Sequence, residues 1–142
     1  MKNYTITIDT GTTNTRVFLF NEKNEVAASA KSEIGVRITA IDGNNNRLKT
    51  AIRGCLEEVL KQAGITYDEV KKVVASGMIT SNVGLVEIPH VVAPASAEDL
   101  AEAAKSVLIE DVCPLPILFI PGVKNRDGKL DLATFESMDM MR

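Results

Sequence analysis

The stretch that decides the fold lies near the start of the chain and reads Tyr4-Thr-Ile-Thr-Ile-Asp-Thr-Gly-Thr-Thr-Asn-Thr-Arg-Val-Phe-Leu-Phe20. Apolar and polar residues alternate up to Asp9, which is the period of a half-buried β-strand. Polar residues then form a turn, and a second β-rich run follows it. The sequence therefore predicts an antiparallel hairpin with strands near residues 4–9 and 15–20.

The next part of the chain predicts one more strand of this meander and then a helix. After a turn at residues 21–24, a more polar run at residues 25–33 reads as a third strand, and three strands joined by short turns should form an antiparallel meander. The stretch 42–46 reads as a Gly- and Asn-rich loop. Apolar residues then recur at helical spacing over 48–63, and Gly64 is placed to end that helix.

Strands and helices alternate in the remainder of the chain. Short apolar runs at residues 70–76 and 117–120 predict strands that join the sheet parallel to the first. Between them, a capping-box-like start at Ser96 predicts an Ala-rich helix that runs to about Ser106. The expected fold class is α/β, a mixed five-stranded sheet with three antiparallel and then two parallel strands, flanked by helices.

Composition excludes several functional classes. The chain has 142 residues, the size of one domain, with 16 basic and 19 acidic residues and a net charge of −3. This mild acidity gives no electrostatic footprint for nucleic acid, and no apolar run has the length of a membrane span. Two cysteines and a single histidine nearly exclude a zinc site. We expect a cytoplasmic domain that binds neither nucleic acid nor membranes.

The turn after the first strand is the candidate site. Asp9 ends a strand, where a single carboxylate suits a hydrated Mg²⁺ ion. Gly11 lets backbone N–H groups approach an anion, and Arg16 adds a cation just beyond the turn. The threonine hydroxyls are further donors, and phosphate is the anion that suits the turn best. The alternative is an ordinary hairpin loop, in which Thr, Asn and Gly are common. The hydroxyl donors are Thr10, Thr12, Thr13 and Thr15.

The run Asp9–Arg16 resembles the first phosphate-binding motif of the ATPase superfamily that includes sugar kinases, heat-shock chaperones and actin. Further segments resemble the 2-dehydro-3-deoxygalactonokinase family. They are Ser32–Val36, Ala75–Gly84, Ile120–Val123 and Met138–Arg142. The resemblance implies a ribonuclease-H-like, actin-like ATPase domain. Family members are longer and hold ATP between two such domains, so residues 1–142 are expected to be the N-terminal one, without the C-terminal nucleotide-binding domain.

The resemblance also implies roles for particular residues. Asp9 would hold Mg²⁺ through water, and the residues that would cradle the β- and γ-phosphates of ATP are Gly11, Thr12, Thr13 and Asn14, with Arg16 in support. Loops after the third and fourth strands would face the sugar acid, which gives the substrate candidates Gly35, Arg37, Gly77, Ser81 and Asn82. Two alternatives stay open: Ser81 and Asn82 as turn or capping residues, and Arg37 as a solvated surface charge. No catalytic base is assigned, because the family's acidic motif is expected beyond Arg142.

The expected function is that of the N-terminal domain of an ATP-dependent kinase that phosphorylates 2-dehydro-3-deoxygalactonate. The isolated chain is expected to be inactive, since the nucleotide half-site would be missing. One alternative is half of another actin-like ATPase or sugar kinase. The other is a non-catalytic ligand-binding or oligomerising domain, which would self-associate through the surface that the missing domain leaves exposed.

Overall fold

A single mixed sheet contains most of the strands in the described part of this chain. The structure, a computed structural model, describes residues 3–81, 84–88, 91–92, 97–121 and 123–124. In chain order its elements are β1 (Tyr4–Thr10), β2 (Thr15–Phe20), β3 (Val26–Ser32), α1 (Val36–Asp42), α2 (Asn46–Ala63), β4 (Val70–Gly77), β5 (Val91–Val92), α3 (Ala97–Ala103), β6 (Lys105–Val107), β7 (Ile117–Phe119) and β8 (Val123–Lys124).

Six strands form the main sheet in the order β3-β2-β1-β4-β7-β6. The first three strands pair as an antiparallel meander, and β4 and β7 then join parallel to β1. Both arrangements confirm the sequence-based expectations. β5 and β8 pair with each other in a separate two-stranded sheet. Among the described residues, no helix is both long and apolar enough to cross a membrane.

The prediction of five strands in the main sheet is wrong by one strand. The Ala-rich helix α3 ends at Ala103, and the residues that were expected to continue it form β6 instead. This strand pairs antiparallel with β7, with Lys105 opposite Phe119 and Val107 opposite Ile117. Without β6, the backbone groups along the outer edge of β7 would have no strand partner, so tertiary pairing outweighs the helical pattern here.

The helix α1 is a second departure from the sequence analysis, which predicted no helix between the third strand and the 42–46 loop. Its sequence, Val-Arg-Ile-Thr-Ala-Ile-Asp, is rich in β-branched residues, which lose side-chain freedom in helices. The helix ends at Gly43, whose backbone has the left-handed φ of +75° and whose N–H donates to Thr39 O at 2.9 Å. Arg47 donates two hydrogen bonds of 2.8 Å to the Asp42 carboxylate and so connects the end of α1 to the start of α2.

The long helix α2 supplies most of the helical side of the core. It ends at Gly64 in a left-handed conformation, as the sequence predicts. One apolar face packs against β2 and β3, and burial of each large aliphatic side chain contributes roughly 1.5–3 kcal/mol. Alternate residues of β1 and β2 form the sheet side of the same core, which explains the period-two pattern of the opening stretch. The buried residues of α2 are Leu48, Ile52, Cys55, Leu56, Val59 and Leu60.

Candidate functional site

The carboxyl ends of β1 and β4 meet at the same edge of the sheet, and the candidate site lies there. Asp9 stands beside Ser76 in the parallel register and opposite Arg16 in the hairpin. Its side chain is half-buried, and this burial raises the pKa of its carboxyl group, while the positive charge of Arg16 acts in the opposite direction. A carboxylate is therefore held at a strand end with limited access to water, next to an exposed guanidinium group.

The turn that follows β1 presents unused hydrogen-bond donors. It is closed by a hydrogen bond of 2.8 Å from Gly11 N–H to Asn14 O. Thr12 and Thr13 at its tip are exposed, and within the described part of the chain their backbone N–H groups donate to no protein acceptor. Asn14 donates to the Thr13 hydroxyl at 3.0 Å. Adjacent free amides at a turn are an arrangement that binds anions in proteins, and the phosphate role of this turn stays a prediction.

The two threonines that flank the turn have a different role from the one expected. Thr10 and Thr15 were interpreted as anion donors, but both side chains are completely buried. Their hydroxyl oxygens lie 3.3 Å apart, and Thr15 donates to the carbonyl of Ile34 at 2.8 Å. Sequence analysis missed this structural role, although the alternation already places one residue in two of each strand inside the molecule.

Gly77 brings the end of β4 into contact with Asp9. Its φ of +88° and ψ of −149° belong to a region that only glycine adopts readily. A Cβ atom at this position would lie 2.7 Å from Thr10 O and 2.9 Å from Asp9 Oδ1. The structure therefore places this predicted substrate residue directly against the Asp9 carboxylate, where its lack of a side chain makes the close approach possible.

The start of α1 lies against the other side of the turn. Val36 N–H donates to Gly11 O at 3.1 Å, and Arg37 N–H donates to Thr12 O at 2.9 Å. A shallow groove of about 190 Å³ runs between the turn and the helix. Its lining residues are Thr12, Thr13, Glu33, Gly35, Arg37, Ile38 and Ile41. Two predicted substrate residues, Gly35 and Arg37, thus lie beside the predicted phosphate turn.

Ser81, a further substrate candidate, lies in the loop after Gly77 and does not line this groove. Ser81 donates its hydroxyl hydrogen to Met78 O at 2.6 Å, which is the turn hydrogen bond of the alternative interpretation. Thr80 likewise donates to Gly77 O at 3.1 Å and so braces the backbone beside Asp9. Asn82 and the segment Met138–Arg142 lie outside the described residues.

The donor groups at the end of β1 determine what kind of metal site this edge of the sheet could offer. Within the described ranges, no cluster of three or more His, Cys, Asp or Glu side chains could enclose a metal. Asp9 stands as a single carboxylate beside a set of free amides. This donor set suits a hydrated Mg²⁺ ion that is bound mainly by the phosphates of a substrate, and it does not suit a cation held by the protein alone.

Known proteins resemble this chain in sequence and in structure. Residues 9–142 match the family model for 2-keto-3-deoxy-galactonokinase, 2-keto and 2-dehydro being two names for the same group. A candidate 2-dehydro-3-deoxygalactonokinase from Sinorhizobium meliloti has a similar structure, with a TM-score of 0.66 and 19% identity over 96% of this chain and 40% of that chain. A reductive activator for a corrinoid, iron–sulfur protein gives a TM-score of 0.52 with 18% identity over 85% of this chain and 23% of that one.

A glycerol kinase from Oceanobacillus iheyensis is 30% identical over 71 residues, which are 48% of this chain and 14% of that kinase. The chain spans less than half the length of each of these three proteins. The structural similarities are low in identity and show the fold alone, a mixed sheet flanked by helices. The family match extends from Asp9 through the turn, α1 and Gly77 to Arg142, and on this evidence the chain belongs to the 2-keto-3-deoxy-galactonokinase family.

Proposed function

We propose that this chain is the N-terminal domain of a cytoplasmic, ATP-dependent kinase that transfers a phosphoryl group to 2-dehydro-3-deoxygalactonate. The observation that carries the proposal is the position of Asp9, half-buried at the end of β1 and one residue before a turn with free backbone amides. Membership of the family supports the substrate class. On this proposal a second domain would supply the remaining half of the nucleotide site, since this chain spans 40% of the structurally similar protein from Sinorhizobium meliloti.

On this proposal the turn binds the β- and γ-phosphates of ATP. The free N–H groups of Thr12 and Thr13 donate to phosphate oxygens, and exposed Arg16 adds positive charge at the same edge. Asp9 would hold a Mg²⁺ ion through water, and the chemistry that this ion would supply is neutralisation of charge on the phosphates. Phosphoryl transfer depends mainly on positioning and charge neutralisation, which is what these groups supply.

The sugar acid that accepts the phosphoryl group would lie on the α1 side of the turn. Arg37 is exposed and lines the groove beside Thr12 and Thr13, so its guanidinium group is available to a carboxylate. Every 2-keto-3-deoxy sugar acid carries such a carboxylate. The lack of a side chain at Gly77 lets the end of β4 lie against the Asp9 carboxylate, and the Ser81–Asn82 loop would contact sugar hydroxyls. The 142-residue chain alone, without its nucleotide half-site, would not turn over ATP.

The test is Asp9→Asn in the two-domain protein, assayed with ATP and the sugar acid over a range of Mg²⁺ concentrations. We expect kcat to fall at least about tenfold and the Mg²⁺ requirement to rise, since groups that orient a metal's ligands typically matter by roughly 10–100-fold. The melting temperature should not fall, because burial raises the pKa of Asp9 and the ionised form is unfavourable in the folded protein.

The matched control is Asp68→Asn, which removes a carboxylate from an exposed residue of the turn at the other end of β4. This variant should keep both kcat and the Mg²⁺ dependence of the unmodified enzyme. Near-normal kcat and an unchanged Mg²⁺ titration in Asp9→Asn would show that the first hairpin is not the phosphate and metal site.

A second candidate function is phosphorylation of a different acceptor, and the partial similarity to a glycerol kinase favours including it. A neutral polyol has no carboxylate for Arg37 to bind. A screen of polyols, sugars and sugar acids with the two-domain protein distinguishes the two functions. Phosphorylation of polyols in preference to aldonates would overturn the assignment of the substrate class and leave the phosphate site unaffected.

A further inference from the structure

A chain of buried hydroxyl groups connects the phosphate turn to the segment that leads into α1. Thr15 has one hydroxyl hydrogen, and it donates that hydrogen to Ile34 O at 2.8 Å. The contact of 3.3 Å between the Thr10 and Thr15 hydroxyl oxygens therefore has Thr10 as its donor. Both threonines are 0% exposed, so water does not compete for these bonds. The hydroxyl chain holds the base of the turn to the last residues before the helix.

The backbone makes a second connection at the tip of the turn. The first two N–H groups of α1, from Val36 and Arg37, donate to Gly11 O and Thr12 O at 3.1 and 2.9 Å. Gly35 makes this approach possible, because a Cβ atom there would lie 2.6 Å from the carbonyl oxygen of Thr12 and closer still to that of Gly11. Turn and helix are thus in direct backbone contact, with no room for a side chain between them.

The two connections fix the direction in which the turn presents its donors. With the carbonyls of Gly11 and Thr12 bonded to α1, the neighbouring N–H groups of Thr12 and Thr13 are the ones left without protein acceptors among the described residues. Arg37 lies one peptide unit into the same helix. Arg37, which is proposed to bind the acceptor substrate, is therefore connected to the turn that is proposed to bind phosphate. The connection is a single hydrogen bond, from Arg37 N–H to Thr12 O.

We propose that Thr15 is a positioning residue that locks the phosphate turn to the N-terminus of α1, so that the phosphate side and the acceptor side of the site move as one rigid unit. This inference rests on the proposed kinase function. It assigns to Thr15 no contact with either substrate. Its effect is exerted through the carbonyl of Ile34 on one side and the hydroxyl of Thr10 on the other, with Gly35 as the residue that permits the contact.

The first experiment compares Thr15→Val, which keeps the shape of the side chain and removes the hydroxyl, with Thr15→Ser, which keeps the hydroxyl. In the two-domain kinase, Thr15→Val should lower kcat about tenfold, since misplacing a reacting group by about 1 Å costs up to roughly 10²-fold. The KM for ATP and for the acceptor should change far less than kcat. Thr15→Ser should restore kcat, because it restores the bond to Ile34.

Thr7→Val is the control for loss of a buried threonine hydroxyl, because Thr7 is also buried in the sheet but lies away from the turn. It should leave kcat unchanged. Equal kcat in Thr15→Val and unmodified enzyme, or equal losses in Thr15→Val and Thr7→Val, would overturn the proposal. Absence of kinase activity in the unmodified two-domain protein would instead overturn the proposed function, and the positioning role is then decided by the next measurement.

Hydrogen exchange tests the rigid unit without any turnover. The amides of Val36 and Arg37 should exchange at least about tenfold faster in Thr15→Val, while the Gly43 amide, bonded within α1 to Thr39 O, should be unchanged. If Thr15→Val does not fold, the unmodified protein is compared with and without magnesium tripolyphosphate. Slower exchange at Val36 and Arg37 on adding this probe supports the proposal. Unchanged exchange at both amides, in either comparison, overturns it.

Discussion

The substitution Gly77→Ala isolates the close contact between the end of β4 and the Asp9 carboxylate. Two terms add in this variant. Alanine must adopt a φ of +88° with ψ of −149°, a conformation that costs of the order of 1–3 kcal/mol for residues with a Cβ. The new Cβ must also be accommodated 2.7 Å from Thr10 O, and such overpacking typically costs ~1–3 kcal/mol.

The sum is roughly 2–6 kcal/mol, a large part of the ~5–15 kcal/mol that stabilises a typical domain. For a chain of this length, the middle of that range corresponds to a fall in melting temperature of about 13 °C. Urea denaturation followed by circular dichroism measures the change in the free energy of unfolding. The dependence of that free energy on urea concentration should stay constant, because the surface exposed on unfolding is the same.

Substitutions at two further glycines distinguish the conformational cost from the cost of overpacking. Gly43 has a φ of +75° but nothing within 4 Å of a Cβ atom, so Gly43→Ala measures the conformational term alone, at ~1–2 kcal/mol. Gly54 lies inside α2 in open space, and Gly54→Ala should stabilise the protein by ~0.5–1 kcal/mol. If Gly77→Ala is no less stable than Gly43→Ala, the new Cβ at Gly77 meets no steric conflict. That result would also refute the close contact between Asp9 and the end of β4.

Two other expectations follow from groups with shifted pKa values. The hydrogen bonds and charge of Arg47 lower the pKa of Asp42, so their interaction stabilises the fold at neutral pH and this contribution is lost as the pH falls through that lowered pKa. In Arg47→Ala, an NMR titration should find the pKa of Asp42 returned to its ordinary range. Burial raises the pKa of the Cys55 and Cys113 thiols. Neither thiol should therefore react with a thiol reagent at mildly alkaline pH until guanidinium unfolds the protein. Rapid reaction of the native protein would contradict this expectation.

Local patterns were sufficient to predict the first half of the sheet. The alternation from Tyr4 to Phe20 and the short polar turn specify a hairpin without help from the rest of the chain, and its strands match the predicted bounds closely. The same holds for α2, whose apolar face and terminal Gly64 are both visible in the sequence. In each case the signal lies within one element and its immediate neighbours.

Elements fixed by distant partners were not predictable in this way. The β-branched residues of α1 disfavour a helix. The helix nevertheless begins where its first N–H groups donate to the carbonyls of Gly11 and Thr12. The strand at Lys105–Val107 depends on the free edge of β7. At the site, Asp9 was identified from its strand-end position, but the structural role of Thr15 was missed because its partner, Ile34, lies on another element.

The order of the sheet also has a consequence for the time at which the site is assembled. On one edge β1 pairs with β2, its neighbour in sequence, while on the other it pairs with β4, which follows both α1 and α2 along the chain. Closing a short hairpin loses little chain entropy, and joining β1 to β4 requires a much longer loop to close. During folding, the turn with its free amides therefore forms early, whereas the contact of Asp9 with Gly77 forms only when β4 docks. On the proposed function, the turn amides would thus be in place before Asp9 contacts Gly77, and the complete site would be assembled only after β4 has joined the sheet. A chain in which only the meander has formed would offer the amides without the positioned carboxylate.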